Sequence, residues 1–155
     1  MGVRAKQGRL DAKGLQGRVA IASAKAAYLA WKEIFEGERF QRLEGKGARP
    51  QRLLWASTGT KNPAYSDVKY VEALIGPDTV NTVPPETLRA YRDHGDPKVR
   101  LHDGAVEARR ALKQLVEVGI DLDQVTQRLE DEGVEKFMQP FDHLLKTIED
   151  RRAEA

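Results

Sequence analysis

A run of small hydroxyl residues with a glycine and a lysine is the part of this sequence best suited to chemistry. It lies within residues 55–63, which read WASTGTKNP. The run offers hydroxyl donors, close access to the backbone and a mobile positive charge, from Ser57, Thr58, Thr60, Gly59 and Lys61. Such a group at the carboxyl end of a parallel strand, near a helix N-terminus, is typical of a phosphate site. We therefore predict that Ser57, Thr58 and Lys61 bind a phosphate group, with an ordinary strand-to-helix loop as the alternative.

Two short apolar segments are predicted to be the strands that position this loop. Residues 52–57 form an apolar run without alternation, which is typical of a strand buried on both faces, and residues 78–83 form a β-branched run. A helix is expected between them, beginning at Ser66 or Asp67. Its apolar stripe contains Val68, Val71, Leu74 and Ile75. The order strand, helix, strand implies a parallel pair joined by a right-handed crossover.

Helices are expected on both sides of this pair, so the fold class is α/β and mostly helical. Residues 1–16 are Gly-rich and basic without an apolar period, so we expect a flexible leader followed by one folded region over residues 17–155. The first helix after the leader is predicted to bury one apolar face. That face contains Val19, Ala22, Ala26, Leu29, Ala30 and Ile34. Pro84-Pro85-Glu86 predicts the start of another helix after the second strand.

The last third of the sequence is predicted to be entirely helical. One helix is expected to end at Gly119. The next is expected to begin at Asp121, whose spacing to Gln124 is that of a capping box. Gly133 is expected to separate this helix from a final one, and Pro140 should kink or divide that final helix.

The composition is that of one ordinary globular domain and argues against several classes of function. The 155 residues include 26 Lys+Arg and 24 Asp+Glu, so no net field favours nucleic acid or an anionic membrane. The sequence has no cysteine, and no apolar run approaches the length of a membrane span. Its histidines, His94, His102 and His143, lie at spacings that form no metal site. We expect a cytoplasmic protein that binds no metal, nucleic acid or membrane.

Three segments of the sequence resemble the longer bacterial type of transaldolase. The first is WASTGTKNPAYSD over residues 55–67, and the second is IGPDTVNT over residues 75–82, followed by PPET. The third is a C-terminal helix pattern, formed by Gly133-Val134, Lys136-Phe137, Phe141 and Leu144-Leu145. The resemblance runs from about Gly17 to Arg152, which is nearly the whole chain.

The resemblance implies the C-terminal portion of a (β/α)8 TIM barrel, with strands seven and eight at residues 52–57 and 78–83. The family moves a dihydroxyacetone unit from a ketose phosphate such as sedoheptulose 7-phosphate to glyceraldehyde 3-phosphate, in the pentose phosphate pathway. It does so through a lysine Schiff base and needs no cofactor. Ser57 matches the family's phosphate-binding serine, and Lys61 is the basic partner, although shorter transaldolases carry an arginine closer to that serine.

The same resemblance implies that the chemical end of the active site is missing from these residues. No residue matches the Schiff-base lysine or the proton-transfer carboxylates, so we expect no catalytic residue in this chain. Lys25 lies in a helical run with nothing nearby to lower its pKa, so we expect no catalytic role for it. A separate chain carrying the N-terminal part of the barrel, or self-association, would complete the fold around a sugar-phosphate substrate. The alternative is a non-catalytic relic or a helical interaction module.

Overall fold

The structure, a computed structural model, describes residues 12–153 and divides into two compact units, Met1–Gln114 and Leu115–Ala155. In chain order its elements are α1 (Val19–Phe35), α2 (Glu38–Glu44), β1 (Leu53–Ala56), α3 (Lys69–Ala73), β2 (Thr79–Thr82), α4 (Pro85–His94), α5 (Ala105–Glu117) and α6 (Leu122–Ala153). Residues 1–11 of the expected leader lie outside the described residues. Residues 12–15 are helical and Leu15 is buried, so helical structure begins before the boundary expected at residue 17.

The sheet of the first unit contains the two strands expected from the sequence. β1 and β2 are parallel, and Leu53, Leu54, Trp55 and Ala56 pair in order with Thr79, Val80, Asn81 and Thr82. The residues between them contain α3, which begins at Lys69 and not at Ser66 or Asp67, because its N-cap is Val68 and no side chain caps it. Val68, Val71 and Leu74 of the predicted apolar stripe are buried, although Val68 and Leu74 flank the short helix. The predicted start of α4 at Pro85 is also confirmed. Both strand ends that precede the loops therefore lie at one edge of the sheet.

Only one face of this sheet is covered, which corrects the expectation that residues 52–57 are buried on both faces. Side chains alternate along a strand, and Trp55 points to the packed face while its neighbours Leu54 and Ala56 are exposed. In β2 Val80 and Thr82 are exposed in the same way. Within residues 12–153 no further strand pairs with β1 or β2, and the exposed side chains of both strands show that the second face is open.

The core of the first unit is built on aromatic side chains of α1. Tyr28 and Trp31 are buried together with Trp55, Leu74 and Leu101, and Leu53 packs against this cluster. The rings of Tyr28 and Trp31 are stacked with centroids 5.8 Å apart. Trp31 Nε1 donates a hydrogen bond to the Gln51 carbonyl at 2.6 Å, which ties α1 to the entry of β1. Each buried aromatic side chain contributes about 1.5–3 kcal/mol through the hydrophobic effect.

The buried face of α1 differs from the one predicted. Ala22 is buried as expected, but Ala30 and Ile34 face solvent, with Ile34 61% exposed. Tyr28, Trp31 and Phe35 recur at helical spacing on the side of α1 opposite to the predicted face. Their aromatic rings bury larger surfaces than the residues predicted. The orientation of the helix therefore follows its aromatic residues and not its alanines.

In the second unit the end of α5 and the start of α6 are set by local hydrogen bonds. Gly119 has a φ of +83°, and the amides of Gly119 and Ile120 donate to the carbonyls of Val116 and Leu115. This is a Schellman motif, in which glycine adopts the left-handed conformation without strain. The predicted cap is confirmed, because Asp121 Oδ1 accepts hydrogen bonds from the amides of Asp123 and Gln124 at 3.0 and 3.2 Å.

The expected break at Gly133 is wrong, and so is a division at Pro140, because α6 runs without interruption from Leu122 to Ala153. A glycine inside a helix costs only about 1 kcal/mol relative to alanine. Side-chain pairs four residues apart lie on both sides of Gly133, one of them spans it, and together they offset that cost. They are Gln127–Asp131, Arg128–Glu132, Glu132–Lys136 and Glu135–Gln139. None of the helices in residues 12–153 combines the length and apolar content that crossing a bilayer requires.

An alanine at Gly76 should destabilise the first unit. A β-carbon at Gly76 would lie 2.6 Å from two side-chain atoms of Leu101, which is only 2% exposed. Because the core cannot yield that space without moving, we expect Gly76→Ala to lower the free energy of unfolding by about 1–3 kcal/mol. Urea unfolding followed by tryptophan fluorescence reports on this unit, since Trp31 and Trp55 both lie in its core.

Gly45→Ala is the matched control. The nearest atom to a β-carbon there is the Gln41 carbonyl oxygen at 3.7 Å, and the Gly45 φ of −59° suits any residue. Its stability should change by less than about 1 kcal/mol. Equal stability of the Gly76 and Gly45 variants would contradict the tight packing of Leu101.

A charged pair joins the end of α4 to the segment before α3 and should make stability depend on pH. His94 Nε2 lies 2.9 Å from Asp67 Oδ1, and His94 Nδ1 lies 3.1 Å from Asp93 Oδ2. The hydrogen bond to Asp67, with a smaller contribution from Asp93, raises the pKa of His94. The hydrogen bond from His94 lowers the pKa of Asp67. Both shifts favour the charged forms in the folded state.

The contribution of this pair is present at acidic pH and lost on the alkaline side. It is complete below the ordinary histidine pKa of about 6.5 and disappears as the pH rises through the raised folded value. It also disappears when the pH falls through the lowered pKa of Asp67. We expect the stability difference between the wild type and His94→Gln to shrink as the pH rises from about 6 through the raised pKa of His94. His143→Gln, on α6, is the control, and a difference that stays constant with pH would contradict the pairing.

Candidate functional site

The loop that follows β1 begins with an unusual backbone conformation at Ser57. Ser57 has a φ of +53°, in the left-handed region that residues other than glycine seldom adopt. Such a conformation costs about 1–3 kcal/mol and persists only where surrounding contacts hold it. The predicted phosphate-binding serine therefore lies at the carboxyl end of a parallel strand, in a turn that its neighbours must maintain.

Two side chains of β2 supply contacts that hold this turn. The Ser57 amide donates to Thr82 Oγ1 at 3.0 Å, and Thr82 Oγ1 in turn donates to the Trp55 carbonyl at 3.4 Å. On the other side of the strand, Thr58 Oγ1 donates to Asn81 Oδ1 at 2.8 Å. The final residues of β2 thus fix the first two residues of the loop after β1.

Sequence reasoning did not include Asn81 or Thr82 in the site. The available signal was the pair of polar residues near the end of a β-branched strand, in the segment DTVNT. In a parallel sheet, residues at the carboxyl end of neighbouring strands meet at one edge, so both residues were candidates once the pairing was assumed.

The first turn of α4 lies beside the same loop. A β-carbon at Gly59 would be 3.1 Å from Pro84 Cγ and 3.2 Å from Thr87 Oγ1, and Thr87 is buried. The glycine therefore allows the loop to approach the helix start closely. The first amides of a helix have no acceptor within the helix, and their partial positive charge favours an anion nearby.

Ser57, Thr58 and Gly59 also line a cavity of about 270 Å³ between β1 and α1. Its other walls are mostly apolar, from Ala20, Ala24, Leu54, Trp55, Ala56, Tyr70 and Leu74. Within the described residues, the buried Trp55 Nε1 and Thr60 Oγ1 have no hydrogen-bond partner. The loop therefore combines polar groups with an apolar wall.

Lys61 is not brought to this cavity. Its side chain is exposed and does not line the cavity beside Ser57 and Thr58. The next residue, Asn62, accepts the Ala64 amide at Oδ1, 2.9 Å away, which turns the chain toward α3. The structure thus joins Ser57 and Thr58 and leaves Lys61 on a solvent-facing part of the same loop.

Lys25 has a structural role in this fold. Its Nζ donates to the Arg100 carbonyl at 2.9 Å and to the Asp103 carbonyl at 2.6 Å. Partial burial lowers the pKa of Lys25, against the opposing effect of Asp103 and Glu107. From the sequence we expected nothing near Lys25 that would lower its pKa. In the fold, however, partial burial lowers it. The ammonium group ties α1 to the segment before α5.

Comparisons with known proteins cover nearly the whole chain. Residues 4–148 match the family described as Transaldolase/Fructose-6-phosphate aldolase. The chain is 50% identical over 141 residues to Transaldolase 2 of Nostoc punctiforme, covering 90% of this chain and 37% of that protein. It is 48% identical over 141 residues to the transaldolase of Thiobacillus denitrificans, covering 91% of this chain and 39% of that protein.

A third relative agrees with these two. The transaldolase of Neisseria meningitidis is 49% identical over 134 residues, which cover 86% of this chain and 38% of that protein. The chain thus spans less than two-fifths of the length of these curated relatives. The family match extends over far more than half of the chain, and it includes the loop after β1 and both strands. The chain therefore belongs to the transaldolase/fructose-6-phosphate aldolase family.

Proposed function

We propose that this chain contributes the phosphate-binding end of a transaldolase active site. The observation that carries the proposal is Ser57, which follows a parallel strand in a left-handed turn. It lies within the segment that resembles the family's phosphate site. In this proposal β1 and β2 are strands seven and eight of a (β/α)8 barrel. Barrel enzymes commonly bind phosphate in the loops that follow these two strands.

The complete enzyme would transfer a dihydroxyacetone unit from sedoheptulose 7-phosphate to glyceraldehyde 3-phosphate. A lysine would hold the unit as an enamine after the first product leaves, and the products would be erythrose 4-phosphate and fructose 6-phosphate. The reaction belongs to the pentose phosphate pathway, and we propose a cytoplasmic location. The names of the relatives and the family match support transaldolase chemistry in general.

Within this reaction the residues of the loop would bind the end of the substrate remote from the reacting carbons. The Ser57 hydroxyl would donate to a phosphate oxygen. Because the Thr58 hydroxyl proton already points to Asn81, Thr58 would contribute its backbone N–H. Lys61 would approach from the solvent side, where its long side chain can reach an anion. Binding energy from such remote contacts positions the substrate for reaction at the other end.

We propose that the Schiff-base lysine is none of the lysines among these residues. Lys25 is the one that sequence reasoning considered, and its Nζ donates to the backbone carbonyls of Arg100 and Asp103. A nucleophilic lysine needs a free amine beside the substrate carbonyl, together with a carboxylate that transfers protons. Both groups would come from the part of the barrel that precedes β1.

The open face of the sheet is the proposed attachment surface for that part of the barrel. Leu54, Ala56, Val80 and Thr82 are exposed on it, and two strands cannot close a barrel. Relatives more than twice as long as this chain supply the length that further strands require. The N-terminal part of the barrel, on the same or a separate chain, would cover this face, and self-association is the second possibility.

A non-catalytic interaction module is the alternative function, and α6 is the observation that favours it. No residue of α6 is buried, and its exposed apolar residues recur at helical spacing. They are Val134, Phe137, Met138, Phe141, Leu144, Leu145 and Ile148. A stripe of this width is typical of a helix that packs against another protein surface.

Removing the Ser57 hydroxyl should weaken binding of a phosphorylated sugar. A hydrogen bond to a charged group contributes about 1.5–3 kcal/mol, so Ser57→Ala should raise the dissociation constant for fructose 6-phosphate roughly ten- to hundredfold. Lys61→Ala should raise it only by about two- to fivefold, because an exposed charge is screened by salt. NMR titration of the chain measures both changes.

Ser66→Ala and Lys46→Ala are matched controls, since both residues are exposed in the same unit and lie outside the loop of residues 57–61. Neither should change the affinity for fructose 6-phosphate. Unchanged affinity in both the Ser57 and the Lys61 variants would remove the phosphate-binding roles assigned to them.

Borohydride trapping tests where the nucleophile lies. The chain is incubated with fructose 6-phosphate and borohydride, alone or together with the N-terminal part of the Nostoc punctiforme relative, and each polypeptide is weighed by mass spectrometry. We expect no adduct on the chain alone, and an adduct on the N-terminal part in the mixture. An adduct on Lys25, or on any other lysine of this chain, would refute the proposed division of the active site.

A further inference from the structure

We infer that Thr82 is a positioning residue for the phosphate site: its hydroxyl holds Ser57 in the left-handed turn that presents the loop to a phosphate ester. The ligand part of this inference rests on the proposed function, while the part that concerns Ser57 stands on the hydrogen bonds alone. In this role Thr82 does not contact the ligand. It acts through the backbone of the residue across the sheet.

The position of Thr82 in the sheet explains why a side chain is needed here. Thr82 is paired with Ala56 in the last register pair of β1 and β2. Beyond that pair the two strands separate, because Ser57 turns into the loop and Val83 leads to Pro84, the N-cap residue of α4. No backbone carbonyl of β2 continues the ladder for the Ser57 amide. The Thr82 hydroxyl takes the place of that carbonyl.

One hydroxyl serves both ends of the turn. A threonine hydroxyl has one proton to donate and two lone pairs to accept with. Thr82 Oγ1 accepts from the Ser57 amide at 3.0 Å and donates to the Trp55 carbonyl at 3.4 Å. It therefore connects Trp55 and Ser57, the residues on either side of Ala56, and restrains the turn. The geometry uses the hydroxyl in both of its roles, which a serine could also do and a valine could not.

The turn needs such a restraint because Ser57 is not a glycine. Its φ of +53° is disfavoured by the β-carbon, so without a partner the residue would return to an extended conformation and its hydroxyl would move. Gly59, two residues later, meets Pro84 and Thr87 closely and limits where the rest of the loop can go. Loss of the Thr82 hydroxyl should therefore release Ser57 more than the rest of the loop.

Thr82 is exposed on the uncovered face of the sheet, so its replacement does not disturb a packed core. Thr82→Val keeps the shape and removes both hydrogen bonds, whereas Thr82→Ser keeps the hydroxyl. Thr79→Val is the matched control. Thr79 lies at the other end of the same strand, where its hydroxyl donates to the Gly76 carbonyl at 2.9 Å.

Two measurements on the full 155-residue chain test the inference. Amide hydrogen exchange by NMR reports the restraint on Ser57 without any ligand, and titration with fructose 6-phosphate, with fructose as the unphosphorylated control, reports its effect on binding. We expect Thr82→Val to speed exchange at Ser57 at least about tenfold and to weaken fructose 6-phosphate binding about five- to twentyfold. Thr82→Ser should restore both values, and Thr79→Val should change neither.

The possible outcomes separate the two proposals. Unchanged exchange at Ser57 in Thr82→Val would overturn the inference, and so would faster exchange with unchanged affinity for fructose 6-phosphate. A wild-type chain that does not bind fructose 6-phosphate would overturn the phosphate site itself, and the exchange comparison would then decide alone whether Thr82 holds Ser57. If Thr82→Val does not fold, Thr82→Ala removes the same hydroxyl with less bulk, and the same outcomes apply to it.

Discussion

The parallel pairing of β1 with β2 is the constraint on which the rest of the first unit depends. Four residue pairs bring Ala56 beside Thr82, so the two loops that follow the strands begin at one edge of the sheet. From that edge Thr82 reaches the Ser57 amide, and Asn81 reaches the Thr58 hydroxyl. A register shifted by one residue would turn Thr82 to the opposite face and remove its contact with Ser57.

The aromatic core holds this pair of strands in place. Two strands alone are marginal in water and need a packed face to persist. Tyr28 and Trp31 of α1 supply that face by packing with Trp55 and Leu101, and Trp31 adds a hydrogen bond to the Gln51 carbonyl. Lys25 makes a second connection from the same helix to residues 100 and 103. One helix therefore supports the strand that precedes the site and the segment that follows α4.

The uncovered side of the sheet has a different character. Leu54 and Val80 are exposed on this face next to Thr82. The same face therefore carries apolar surface and the hydroxyl of Thr82 that bonds to Ser57. In a closed barrel this face would point into the packed interior, and a substrate would lie at the carboxyl ends of the strands. Thr82, in the last register pair of β2, would then lie near the substrate end of the proposed barrel. In the second unit, α6 exposes apolar residues along its length, and local side-chain pairs rather than burial support it around Gly133.

The sequence by itself determined the elements whose signals are local. Pro85 begins α4, Asp121 caps α6, and Gly119 ends α5. At each position the propensity of the residue, or its hydrogen bonds to near neighbours, is enough to set the end of the helix. The tertiary structure alone decided which face of α1 is buried, where Lys25 donates, and that Thr82 meets Ser57 while Lys61 stays in solvent. The contacts of Thr82 and Lys25 join residues that lie 25 positions apart or more in the sequence. The buried face of α1 depends on which of its side chains compete best for the same packing surface. No local pattern encodes such contacts, since they exist only after the chain has packed.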